Sequence, residues 1–132
     1  MANILLIEDD ELSRMTFREF LESAGHGVTE AGDGEEGLCL REAQTFDLIV
    51  TDIIMPVKEG ISTIVELKKL HPEQKIIAVT GGGSGILIGG ENLDSAAEFY
   101  GQAAKKLGAD IILLKPFTEG EFLAAVDACL SS

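Results

Sequence analysis

Short apolar runs recur along the chain and alternate with longer stretches whose apolar residues fall on a helical period. Residues 4–7 (ILLI), 47–51 (DLIVT), 76–80 (IIAVT) and 111–114 (IILL) are nearly continuous in Ile, Val and Leu, the pattern of strands buried on both faces. Residues 27–31 (GVTEA) form a weaker strand. Helical patterns separate them. Over 12–24, Phe17, Phe20, Leu21 and Ala24 stand at i, i+3, i+4 and i+7. A helix over 34–44 follows Asp33, whose short acceptor suits an N-cap. Residues 60–70 place Ile61, Ile64, Val65 and Leu70 on one side. A helix over 93–107 is predicted to stop at Gly108. The last helix opens with a capping box, Thr118 and Glu121, and buries Phe122, Ala125, Val126 and Cys129. A β-α unit repeated five times predicts an α/β, doubly wound fold: a parallel sheet with right-handed crossovers and helices on both faces.

Length and charge narrow the function classes. With 132 residues, the chain fits one compact domain that needs no disulfide or metal to fold. Its net charge of −13 disfavours nucleic acid and anionic membrane, and favours a cation or a basic partner surface. No run of 18 apolar residues is present, so no transmembrane span is expected. Cys39 and Cys129 lie in no CxxC motif and no signal peptide opens the chain, so both read as reduced, packed cytoplasmic thiols. His26 and His71 read as surface residues, and Met15 and Met55 as packing residues, Met55 over the acidic pocket.

In a doubly wound sheet, ligands bind beyond the carboxyl ends of the strands. The strong strands run into polar residues there: Glu8-Asp9-Asp10, Asp52, Thr80 and Lys115. Mg²⁺ takes oxygen ligands, commonly one or two carboxylates with water and phosphate, and would relieve repulsion among Asp9, Asp10 and Asp52. A carboxylate can attack phosphorus and become an acyl phosphate. A lysine and a metal supply charge, and a threonine supplies a hydroxyl donor. The set is chemically complete for moving a phosphoryl group onto an aspartate. Glu8 and Glu11 read as a solvated edge of the cluster.

Four motifs in order, LLIEDD, DLIVTDIIMP, IIAVTG and LLKPF, make the whole chain resemble the receiver domain of two-component response regulators. The resemblance implies a flavodoxin-like fold with strand order 2-1-3-4-5, as a single receiver domain over 1–132. It implies that Asp52 is the phosphoacceptor. Asp9 and Asp10 would be the acidic pair, with Asp10 the direct Mg²⁺ ligand, joined by Asp52 and the backbone carbonyl of Ile54. Thr80 would bond the phosphoryl oxygen, Lys115 would pair with its charge, and the Lys115–Pro116 bond would be cis. The phosphoryl donor would be a histidine kinase or phosphotransfer protein. The domain would be no enzyme beyond its own phosphorylation and dephosphorylation. Phosphorylation would bias the surface of the 93–107 helix, the 111–114 strand and the last helix toward a downstream partner or a homodimer. The opening MANILLIEDD favours a stand-alone or N-terminal placement; the end at Ser132 would leave no output domain attached, whether in a stand-alone protein or in a piece of a hybrid kinase or larger regulator.

Two departures from the family stand out. Its members carry Tyr or Phe three residues before the lysine; here the residue is Ile112, so signalling without the aromatic switch is expected. In addition, 34 residues separate Thr80 from Lys115, with a Gly-rich insertion, GGGSGILIGGENLD, over 81–94. It lacks the GK[ST] and G-x-G-x-x-G registers of nucleotide loops, which leaves an extended loop or a partner contact through 86–88. The competing readings are a non-phosphorylated receiver-like interaction module and a haloacid dehalogenase-type phosphohydrolase. The latter needs a D-x-D motif on the first strand, where the acids here are contiguous.

Overall fold

The computed structural model describes residues 1–53, 57–80, 105–106 and 108–132. Five strands, β1 (Asn3–Ile7), β2 (Gly27–Ala31), β3 (Leu48–Asp52), β4 (Ile76–Thr80) and β5 (Ile111–Leu114), form one parallel sheet in the order β2-β1-β3-β4-β5. The helices among the described residues are α1 (Glu11–Ser23), α2 (Gly34–Ala43), α3 (Val57–Leu70) and α4 (Glu119–Ser131). The expected doubly wound α/β fold is therefore present. The helix expected over 93–107 and the insertion over 81–94 lie outside the described residues, apart from 105 and 106, as do Ile54 and Met55.

Alternation along the strands divides the core into two layers. Ile4 and Leu6, Leu48 and Val50, and Ile77 and Val79 face α1 and α4, where Phe17, Leu21, Phe122 and Val126 close over them. Leu5, Ile7, Ile49, Ile76 and Ala78 face the other side, under Ile64 and Leu67 of α3. Each fully buried side chain of this size contributes about 1.5–3 kcal/mol. Phe17, Phe117 and Phe122 stack on one another with centroids 5.4, 5.4 and 5.6 Å apart, tying α1 to the β5–α4 turn.

Local signals also hold. Asp33 caps α2 by accepting from the Glu36 N–H at 2.8 Å. Thr118 and Glu121 form both bonds of the capping box. Gly108 has φ +138°, a backbone that only glycine adopts without strain. Three expectations need correction. In α3, Ile64 and Leu67 are buried while Val65 and Leu70 are exposed, because the helix rolls to pack Thr63 over Gly34 of α2. Met15 is 53% exposed, on the side of α1 away from Phe17 and Leu21. Cys39 is exposed on α2, whereas Cys129 is buried and its burial pushes the thiol pKa up. No helix among the described residues is long and apolar enough to cross a membrane.

Candidate functional site

The parallel register brings the strand ends together. Ile7 pairs with Thr51, so the next residues, Glu8 and Asp52, follow side by side. Asp52 pairs with Val79, and Thr80 pairs with Leu114, which places Thr80 and then Lys115 at the following positions. The sequence thus sets a carboxylate, a hydroxyl and an ammonium at one end of the sheet because each strand stops at the same level.

Asp52 is 3% exposed, and its Oδ2 accepts from Lys115 Nζ at 3.0 Å. Lys115 also lies over the Phe17 ring, 5.8 Å from its centroid, which favours an ammonium held there. The Lys115 backbone N–H donates to the Thr80 carbonyl at 2.8 Å, and the Lys115–Pro116 bond is cis, as expected. Thr80 is fully buried, and among the described residues its Oγ1 has no hydrogen-bond partner. An unsatisfied buried hydroxyl costs about 1–3 kcal/mol, so its presence calls for a ligand or a function.

The acidic turn differs from expectation. Glu8, read as a solvated edge, is 1% exposed and belongs to the site. Its Oε2 accepts from the Asp10 N–H at 3.1 Å, and its Oε1 lies 3.9 Å from Lys115 Nζ. Burial, then a hydrogen bond with Asp52 and the Asp52 charge, push the Glu8 carboxyl up to about 8. Two carboxyls can hydrogen-bond only through a proton held on one of them. Without that shared proton, no donor among the described residues bonds Glu8 Oε1. Asp9 and Asp10 are both exposed. Asp10 serves as N-cap of α1: its Oδ2 accepts from the Ser13 N–H at 2.9 Å, and these bonds to Ser13 hold its carboxyl below the usual range. Strand parity could have found Glu8. Ile4 and Leu6 face α1 and α4, and Glu8 continues that alternation toward Asp52.

Among the described residues, no three His, Cys, Asp or Glu side chains cluster closely enough to hold a metal alone. The donor set still fits Mg²⁺, which ordinarily takes only one or two carboxylates and completes its shell with water and phosphate oxygens. Glu8 and Asp52 supply two buried carboxyls at adjacent register positions, and a divalent cation would offset the repulsion that disfavours ionising both. A groove of about 380 Å³, lined by Ser13, Phe17, Lys115, Pro116 and Phe117, opens beside Lys115. Ile112 is half-buried and packs against the core under α3.

A family model described as the response regulator receiver domain matches residues 4–90. The chain belongs to the response regulator receiver family. The transcriptional regulatory protein CpxR of Klebsiella pneumoniae is 35% identical over 130 residues, which cover 98% of this chain and 50% of that protein. The chain therefore spans about half the length of such regulators. Protein CcdB of Bacillus subtilis is 32% identical, with 96% of this chain matched to 95% of it. Among solved structures, a CheY-like receiver domain protein from Methanospirillum hungatei superposes with a TM-score of 0.81 at 27% identity, covering 99% of this chain and 94% of that one. The receiver domain of NtrX from Brucella abortus, at 23% identity and a TM-score of 0.81, shares the fold over 98% of both chains. Response regulator receiver domains are, as a family, signalling modules of two-component systems.

Proposed function

We propose that the chain is a single phospho-accepting receiver domain over 1–132 in which Asp52 takes a phosphoryl group from a phosphohistidine on a histidine kinase or phosphotransfer protein. One observation carries the reading: Asp52 is bonded to Lys115 at 3.0 Å at the strand level where the buried Thr80 hydroxyl has no partner among the described residues. In the resting geometry the Lys115 ammonium neutralises Asp52. A carboxylate oxygen of Asp52 attacks phosphorus, the P–N bond to the donor imidazole breaks, and an acyl phosphate forms. Lys115 then has a phosphoryl oxygen to pair with, and the Thr80 hydroxyl can donate to another, so the buried orphan becomes satisfied. The Phe17 face and the Phe117 side of the groove exclude water behind the ammonium.

Asp52, Glu8 and Asp9 would hold Mg²⁺, with the Ile54 carbonyl as a further donor outside the described residues. When bound, the cation supplies charge neutralisation for the carboxylates and the transferring group. Asp10 contributes the α1 cap, which fixes the direction in which the acidic turn leaves β1. Ile112 packs into the core, so the phosphorylated state signals without an aromatic ring turning at that position. Cytoplasmic kinases, a downstream protein or a second copy are the partners that fit this chemistry.

The test is intact-mass measurement after incubation with Mg²⁺ and acetyl phosphate. The wild type gains one phosphoryl group and Asp52→Asn gains none. No gain in the wild type would favour the non-phosphorylated interaction module, and rapid turnover of varied phosphoesters would favour a hydrolase.

A further inference from the structure

Arg14 lies on the first turns of α1 and reaches back across the end of β1. Its Nη1 donates to the Glu8 carbonyl at 2.7 Å. Its Nε donates to Glu30 Oε1 at 2.9 Å. Glu30 lies on β2, in register with Leu6, and its other oxygen accepts from Arg18 Nη1. The Glu8 N–H meanwhile donates to the Ala31 carbonyl at 3.0 Å. Both backbone polar groups of Glu8 are therefore fixed, one by the sheet and one by a guanidinium that is itself held at a second point.

That arrangement is more than the knitting of a helix to a strand. Arg18 and Glu22 form an ordinary exposed i,i+4 pair on the same helix, of the kind worth little. Arg14 differs because its second partner is a carbonyl within the acidic turn. The peptide carrying that carbonyl joins Glu8 to Asp9, so its orientation sets where both carboxyls project. Planar forked donors suit this task, since one guanidinium can satisfy two acceptors at a fixed angle. A lysine could reach only one of them well.

We propose that Arg14, anchored by Glu30, is a positioning residue that holds the Glu8–Asp9 peptide in the orientation the acidic turn needs to bind Mg²⁺ beside Asp52. The inference rests on the phospho-receiver reading above and deepens it. Arg14 touches none of the reacting atoms and acts through Glu8. Partners that orient metal ligands typically change metal affinity about 10- to 100-fold when removed.

The test is calorimetric titration of the metal-free full chain with Mg²⁺, with thermal midpoints measured in parallel. Arg14→Met keeps the aliphatic stem and should weaken Mg²⁺ binding about tenfold. Arg14→Lys should recover part of that loss. Arg18→Met removes one Glu30 bond but leaves Arg14 on Glu8, and should lower the midpoint as much as Arg14→Met while leaving affinity unchanged. A purely structural role predicts equal midpoints and equal affinities for both methionine variants, and that result would overturn the inference. If Arg14→Met does not fold, Glu30→Gln frees the outer anchor and should weaken binding in the same direction; unchanged affinity there overturns it too. A wild type that binds Mg²⁺ and gains a phosphoryl group, with Arg14→Met binding equally well, removes only the role of Arg14. A wild type that does neither removes the phospho-receiver reading, and this inference with it.

Discussion

The two ends of the sheet treat their polar groups in opposite ways. At the amino end, polar groups are closed on one another. Asp47 Oδ2 accepts from the Asn3 N–H, and Asp110 Oδ2 from the Ile76 N–H, each at 2.8 Å, so two aspartates cap the starts of β1 and β4. Gln74, 6% exposed, donates to the Phe46 and Lys75 carbonyls and accepts from Arg41. His71 is the exception, with Nε2 buried 3.6 Å from Glu42. At the carboxyl end, two carboxyls are pressed together and a buried threonine hydroxyl has no partner among the described residues. Satisfied polar groups specify a fold, whereas strained ones at a strand terminus store the capacity to take a ligand. The larger groove, about 510 Å³, is at the amino end, lined by His26, Asp47, Gln74 and Lys75, so volume alone does not locate the chemistry.

The sharpest way to break this contrast is through pH. In the metal-free fold Glu8 keeps its proton to about pH 8, whereas unfolded it loses it near 4.5. The folded chain binds more protons throughout that window, so Glu8 lowers stability as pH rises through it and levels off above it. At about 1.4 kcal/mol per pH unit, the fall reaches a few kcal/mol. Glu8→Gln should flatten this part of the profile in urea titrations run with a chelator. An identical slope in both proteins would mean that Glu8 is not the strained group. At the opposite end, Gln74→Ala should destabilise by about 2 kcal/mol, because it strands a buried acceptor, and should leave Asp52 phosphorylation unchanged.

The sequence made most of the sheet legible because β1, β3 and β4 are buried on both faces and therefore read as unbroken apolar runs. Asp52 and Thr80 were legible because each ends such a run; Lys115 follows the apolar run of β5, expected to be buried on both faces but in fact half-buried with Leu114 exposed. The acidic turn was less so. Four successive acids look alike in sequence; the alternation of β1 separates the inward Glu8 from Asp9, and Asp10 is set apart only because α1 takes it as its cap. Arg14 and Glu30 were invisible, since their pairing crosses from α1 to β2 and depends on how the helix is rolled. The buried stripe of α3 was misjudged for the same reason: periodicity gives a helix face, while the close approach of α2 at Gly34 chooses how that face is turned.

A smaller effect would sharpen the contrast. Thr80→Val keeps the shape of the side chain and removes only the orphaned hydroxyl. It should stabilise the fold by about 1 kcal/mol in chemical denaturation while slowing phosphorylation by acetyl phosphate. A destabilised variant would show that Thr80 has a structural partner and that its hydroxyl is not held in reserve.

The smallest effect belongs to Lys75, whose Nζ donates to the Leu130 and Ser132 carbonyls at 3.2 and 2.6 Å at the C-terminal end of α4. Lys75→Met should cost about 0.5 kcal/mol, read as a small drop in thermal midpoint, because a cation near a helix C-terminus is worth little more than this. It should leave Mg²⁺ affinity and phosphorylation untouched. Lys75 precedes the five residues of β4 and Thr80 ends them, so about 16 Å of strand separates it from the site. That exceeds the roughly 8–10 Å over which surface charges act at physiological salt. A change in Mg²⁺ affinity on removing this charge would therefore have to travel through the sheet itself, and the two ends could no longer be treated as independent.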